Sequence, residues 1–214
     1  MLRSINKVIK VLTVSDVLLL TGFGFVSPIF AIFIIQRIEG GNAEVAGFAM
    51  AIYWIVKSIL QIPFGKYLDK TSGEKDDLYF CIIGYLLVSL VAFGYIFASL
   101  PWHIYLLKSI YAVGMAMNVA GWPAIFTRHI DKGKEAFEWS TRSTLIGVGA
   151  GASGALGGIV ATNFGFPTLF IGVGIFALAG AILPILISKD IFPKDKIIPI
   201  VPESKNGTPY LPKG

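Results

Sequence analysis

The chain of 214 residues carries 18 Lys and Arg against 13 Asp and Glu, yet only 14% of it is charged and 55% is hydrophobic. A mean hydropathy of +0.73 is too high for an ordinary soluble domain, so the basic excess is not read as nucleic-acid binding. A lone cysteine, Cys81, excludes an internal disulfide framework, and His103 and His129 lack metal-ligand spacing, so neither cofactor nor metal is implied.

Six apolar segments follow one another at about 11–35, 45–67, 78–98, 103–127, 143–163 and 167–188, which predicts an all-α integral membrane protein. Residues 1–10 form a short polar N-terminus, 11–188 the six-helix domain, and 189–214 a tail expected to be extended and mobile. The first segment is long, carries Asp16 and has no small-x-small cleavage site, so it is read as a retained helix. Asp16 lies six residues past Lys10, roughly 9 Å into a helix.

The second segment holds Lys57, 13 residues after Glu44 and 11 before Leu68, near the midplane by either count. A charge at the bilayer centre costs at least ~2.5–3.5 kcal/mol, so a water-filled cavity or a carboxylate partner is expected there, with Asp16 the candidate partner. Gln61 on the same segment and Asn118 on the fourth can add hydrogen bonds to a solute site. Lys108, also on the fourth, sits close to the outer side and within snorkelling reach of it.

The fifth segment begins after "EAFEWSTRST", a polar stretch or helix start, and contains Gly149, Gly151 and Gly154 at G-x-G-x-x-G spacing. That spacing marks a dinucleotide loop only after a strand and with an acidic residue about 20 positions on. No charged residue occurs from Ser143 to Ser188, a run of 46, which is two crossings joined by a turn near Gly165 and Pro167. Small residues four apart, Gly147/Gly151 and Gly154/Gly158, with Gly157 beside them, instead suit close helix packing. The tail holds five prolines and the sequon Asn206-Gly207-Thr208, which a cytoplasmic location leaves unused.

Fifteen basic residues fall on one side: Arg3, Lys7 and Lys10; Lys66, Lys70 and Lys75; Arg128, Lys132, Lys134 and Arg142; and five in the tail. Arg37 stands alone on the other. The positive-inside rule then places both termini and the second and fourth loops in the cytoplasm, and the chain in the cell (inner) membrane. Helix one reads "GFGFVSPIF" around Pro28 and helix four "GMAMNVAGWPAIF" around Pro123, an echo that suggests two inverted three-helix repeats.

After the second segment the chain reads "IPFGKYLDKTSGEKDD". This resembles the G-x-L-A-D-R-x-G-R-K loop of the major facilitator superfamily, with Gly65, Asp69 and Lys70 matching by position and Gly73 one residue late. "KSIYAVGMA", residues 108–116, and "SGALGG", residues 153–158, are similar to two further elements of that family on helices four and five. In the latter, Ser153-Gly154 stands where the family has Gly-Pro, so the antiporter subtype does not follow.

The resemblance implies half of a twelve-helix fold, a cytoplasmic latch at Gly65, Asp69 and Lys70 with Glu135 a possible partner, and alternating-access transport of a small solute driven by a proton or ion gradient. Two such units, as a parallel homodimer or with a different six-helix partner, would rebuild the full architecture in the lipid bilayer. The rivals are a non-transporting solute-binding or scaffold subunit and, behind it, a membrane-embedded enzyme; no catalytic constellation at depth favours the enzyme.

Overall fold

The computed structural model describes residues 5–70 and 73–192, and every regular element among them is helical. Helix α1 (Lys7–Gly24) runs through a 3-10 turn, Ser27–Ile29, into α2 (Phe30–Arg37). Then come α3 (Ala43–Lys70), α4 (Lys75–Gly94) with a 3-10 turn at Tyr95–Phe97, α5 (Pro101–His129) and α6 (Glu135–Ile182). A 3-10 turn, Leu183–Ile187, leads into the short α7 (Ser188–Ile191). Five helices are long and apolar enough to cross a membrane, the last running Glu135–Ile191.

The helix starts are set by local chemistry. Asn6 caps α1 by accepting from the Ile9 amide at 2.9 Å, and Asn42 does the same for Val45 at 2.9 Å. Pro101 opens α5 where a missing N–H costs nothing, while the His103 ring accepts from the Leu100 amide at 3.1 Å. Acidic residues occupy the first turns of α3, α4 and α6, and basic ones the last turns of α3 and α5, as the helix dipole favours.

Helix α6 is a hairpin rather than one rod. Arg142 pairs with Asp16, and the Gly180 carbonyl accepts from Ser15 Oγ at 2.7 Å, so positions 142 and 180 meet the same turn of α1. In a straight helix they would stand about 57 Å apart. The reversal lies at Gly165, whose φ of 83° and ψ of 164° are open to a residue without Cβ. Pro167 follows at the start of the second arm, in agreement with the turn expected from the sequence.

The bundle has two distinct ends, and its neighbours include parallel pairs, α1 with the first arm of α6 and α3 with α5. Asn6, Glu74, His129, Asp131 and Asp190 converge at one end, where Lys7 pairs with Asp190 at 2.7 Å. At the other, the Glu39 amide donates to the Ser99 carbonyl at 2.9 Å and Phe33, Tyr95, Phe166 and Phe170 form an aromatic knot. The first end holds a core around Leu12, Cys81, Tyr85 and Phe126; the second is built on Phe33, Ile34, Tyr95 and Phe170. Ile191 is buried and Asp190 pairs with Lys7, so residues 189–192, where the tail is expected to begin, pack on this end of the bundle. The rest of that tail, including the sequon, lies outside the described residues.

Small residues set the closest approaches. A Cβ on Gly84 would stand 2.6 Å from the Gly114 carbonyl, and one on Gly114 2.7 Å from that of Gly84, so α4 and α5 touch backbone to backbone. On α6, a Cβ at Gly157 would meet the Phe25 carbonyl at 2.0 Å, and one at Gly149 the Thr21 hydroxyl at 2.1 Å. Gly154 is in looser contact with Pro28, whereas Gly147, Gly151 and Gly158 have open space before them. The small-residue run therefore has two faces, one pressed on α1 and one left uncovered.

The most apolar part of α3 is only 17% buried, against 33–44% in the other four candidate spans. Its main neighbour is α5.

Candidate functional site

A cavity of about 400 Å³ lies between α3 and the first arm of α6, with α1, α2 and α5 behind it. It forms where Pro28, which cannot donate a backbone hydrogen bond, sits in the 3-10 turn that ends the regular course of the first helix. Its walls are aromatic, chiefly Phe23, Phe30, Tyr53, Tyr95 and Tyr111, and Lys108 is its one charged lining residue. Tyr53 and Tyr111 lie with ring centroids 5.3 Å apart, and Phe23 stands 4.8 Å from Tyr111.

Lys108 faces this cavity instead of snorkelling outward. Its Nζ stands 3.9 Å from the centre of the Phe30 ring and 5.5 Å from that of Tyr111. Its one polar contact among the described residues is the Met50 sulfur at 3.9 Å, and no carboxylate pairs with it. Cation–π contacts return roughly 0.5–2 kcal/mol. The cost of a charge reaches ~2.5–3.5 kcal/mol at the bilayer centre and falls toward the interface, so the rings offset part of it and leave the ammonium without a counter-charge among the described residues. Tyr95 is 2% exposed, and its hydroxyl is buried without a hydrogen-bond partner among the described residues.

A second constellation lies deeper toward the Lys7 end. Asp16 is 2% exposed, is paired with Arg142, and accepts from the Tyr85 hydroxyl at 3.1 Å. The Arg142 guanidinium stacks on Trp122 at 4.3 Å and near Trp139 at 5.7 Å, and Trp122 donates to the Leu12 carbonyl at 3.2 Å. Asn118 neighbours the Tyr85 hydroxyl, and its amide nitrogen is buried without a partner among the described residues.

The expected Asp16–Lys57 pair does not form, because Arg142 takes the carboxylate. Lys57 stays on α3 with its Nζ 4.8 Å from the Trp54 ring and 5.7 Å from that of Tyr53, and it does not line the cavity. Gln61, one turn on, is also outside it.

The charge cluster at the Lys7 end differs in membership from the one expected. Gly65 lies inside α3, which continues to Lys70, and neither Asp69 nor Lys70 forms an ion pair among the described residues. Glu135 accepts from the Gly133 amide at 3.1 Å, within its own turn. The bridge between helices is made instead by Asp77 with Arg128, and by Glu74 with His129 at 2.8 Å. In the adjoining loop Lys134 binds Asp131 at 3.2 Å and holds its carboxyl below the usual carboxylate range.

Sequence reasoning missed Arg142, Tyr85, Tyr95 and Tyr111. Arg142 was counted with a loop, but the helix begins at Glu135, two turns earlier. The acidic pair Glu135 and Glu138 was the signal for that start.

A search of curated proteins finds no match for the chain. The sequence profile of the Major Facilitator Superfamily matches residues 12–208, nearly its whole length. An all-helical multi-pass bundle, a cavity walled by five of its helices and this match agree, and the chain belongs to the Major Facilitator Superfamily of membrane transporters.

Proposed function

We propose that the chain is one six-crossing unit of a secondary-active transporter that moves a small solute by alternating access around the Lys108 cavity. The observation that carries this reading is the cavity itself: about 400 Å³, walled by aromatic rings, holding one cation without a counter-charge and lying between the poorly covered α3 and the largely exposed first arm of α6. Ligand pockets run to about 300–1,000 Å³ with a few convergent polar groups, and this one fits that description. The absence of a nucleotide-hydrolysis motif in the sequence favours a proton or ion gradient as the driver.

The six crossings count the two arms of α6 separately, and the Pro28 and Pro123 echo favours two inverted three-helix repeats. The basic end is assigned to the cytoplasm and the membrane to the cell (inner) membrane. A second copy, inserted in parallel, would cover the cavity mouth, with α3 of one unit on the first arm of α6 of the other. That pairing is isologous, as two-fold symmetry requires. It brings the open positions Gly47 and Gly65 of α3 against Gly147, Gly151 and Gly158 of α6. The Gly65, Asp69 and Lys70 stretch, unpaired within the described part of the unit, would then latch across the two copies.

The test needs no known substrate. Ser27 lines the cavity, and Cys81, the chain's single cysteine, is buried. Ser27→Cys in a Cys81→Ser background is treated with a membrane-impermeant thiol reagent from each side of oriented vesicles. Alternating access predicts labelling from both sides. Labelling from one side alone would replace the transporter by the rival reading, a solute-binding or scaffold subunit.

A further inference from the structure

We propose that the Lys108 cavity selects organic monoanions, a carboxylate or sulfonate carried on a small apolar or aromatic body. The inference rests on reading this cavity as the solute site, and it assigns that site a charge class. No Asp or Glu lines the cavity, so a cationic solute would meet Lys108 with nothing to offset the repulsion. A neutral solute would leave the ammonium without a counter-charge, as before. An anion supplies the missing partner, and a charge-assisted hydrogen bond is stronger than a neutral one.

The remaining lining sets the rest of the ligand. Tyr53, Tyr95 and Tyr111 are the phenols of the lining, and the Tyr95 hydroxyl is buried without a hydrogen-bond partner among the described residues. An anion with several oxygens can take Lys108 and one such donor together. Phe23 and Phe30 offer ring surface but no hydrogen bond, which suits an apolar body and excludes a small, fully hydrated ion such as inorganic phosphate. Of the other ionisable groups on the apolar helices, Asp16 is engaged with Arg142 and Asp77 with Arg128, while Lys57, which has ring contacts, does not line the cavity. Lys108 is the ammonium that faces it.

The experiment is equilibrium binding to the full chain in nanodiscs of zwitterionic lipid, with three probes of similar size. Benzenesulfonate is anionic, benzenesulfonamide neutral and benzyltrimethylammonium cationic. Benzenesulfonate is expected to bind saturably and at least about tenfold more tightly than either of the others. Lys108→Gln is expected to lose at least about tenfold in benzenesulfonate affinity and Lys108→Arg to retain most of it, while Lys132→Gln, a loop control that removes the same charge, stays at the wild-type value. Monodispersity and thermal unfolding separate loss of binding from loss of fold, and Lys108→Arg serves if the glutamine variant fails to fold.

Equal binding of the three probes, undiminished binding by Lys108→Gln, or no binding of benzenesulfonate would overturn the proposal. So would loss of the signal when anionic lipid is added, which would assign the cavity to a lipid headgroup. Lys108-dependent binding together with one-sided labelling at position 27 would leave the anion site standing while removing transport.

Discussion

Asp16 and Lys108 are both ionisable groups on apolar helices, and the bundle treats them in opposite ways. Asp16 has Arg142 and the Tyr85 hydroxyl, with Trp122 against the guanidinium, and it is sealed from solvent. Lys108 has two aromatic rings and a thioether sulfur, and it faces a cavity. In the first arrangement the carboxylate has its counter-charge within the bundle, and it ties α1, α4, α5 and α6 together. The second has no counter-charge among the described residues. A charge that is already satisfied serves the fold, and one that is left waiting serves a solute.

The comparison is broken most severely at the paired site. Asp16→Asn or Arg142→Met leaves the surviving partner buried beside an inadequate neighbour, which costs about 3–5 kcal/mol. Thermal unfolding in detergent should show a large fall for either single variant and recovery of most of it in Asp16→Leu/Arg142→Met. Equal losses in the singles and the double would mean that the pair is not what those residues contribute.

The two faces of α6 give the next largest effect. Gly157→Val drives side-chain atoms into the Phe25 backbone and should lower stability by about 1–3 kcal/mol. Gly151→Val meets open space, so the lone unit should hold within about 0.5 kcal/mol of wild type while association of copies falls. Unfolding and native mass spectrometry read the two outcomes separately. A monomer destabilised by Gly151→Val would show that the open face is occupied within the unit.

Lys108→Gln sharpens the contrast through its sign. Removing a cation without a counter-charge should leave the unfolding temperature unchanged or raise it, even as anion binding is lost. A fall comparable to that of Asp16→Asn would mean that Lys108 serves the fold.

The smallest effect is expected at the loop pair. The Asp131 carboxyl is held low chiefly by its hydrogen bond to Lys134, so its stabilisation is present above the unfolded carboxylate pKa of about 3.9. It is lost as pH falls through the lower folded value. Asp131→Asn should remove that small contribution at neutral pH and flatten the stability profile in the acidic window, so that the variant and the wild type converge below it.

Much of the architecture was legible because the membrane imposes it. The uncharged run 143–188 is long enough for two crossings, and Gly165 with Pro167 marked its turn, where the backbone does reverse. Partners were harder to read. Depth arithmetic put Lys57 and Asp16 at comparable levels, but depth does not say which way a side chain points around its helix. Helix α6 began two turns earlier than its apolar run and carried Arg142 to Asp16 instead. Lys108 was placed by distance from the helix end, which invited snorkelling. The break of the first helix at Pro28, which opens an inward space for it, is a property of two elements at once.

The most direct test of the central claim is flux. Proteoliposomes containing the chain are given labelled benzenesulfonate on one side, under an imposed pH gradient and without one. The account predicts saturable, protein-dependent uptake that responds to the gradient and disappears in Lys108→Gln. Saturable binding with uptake no faster than in protein-free vesicles would contradict it.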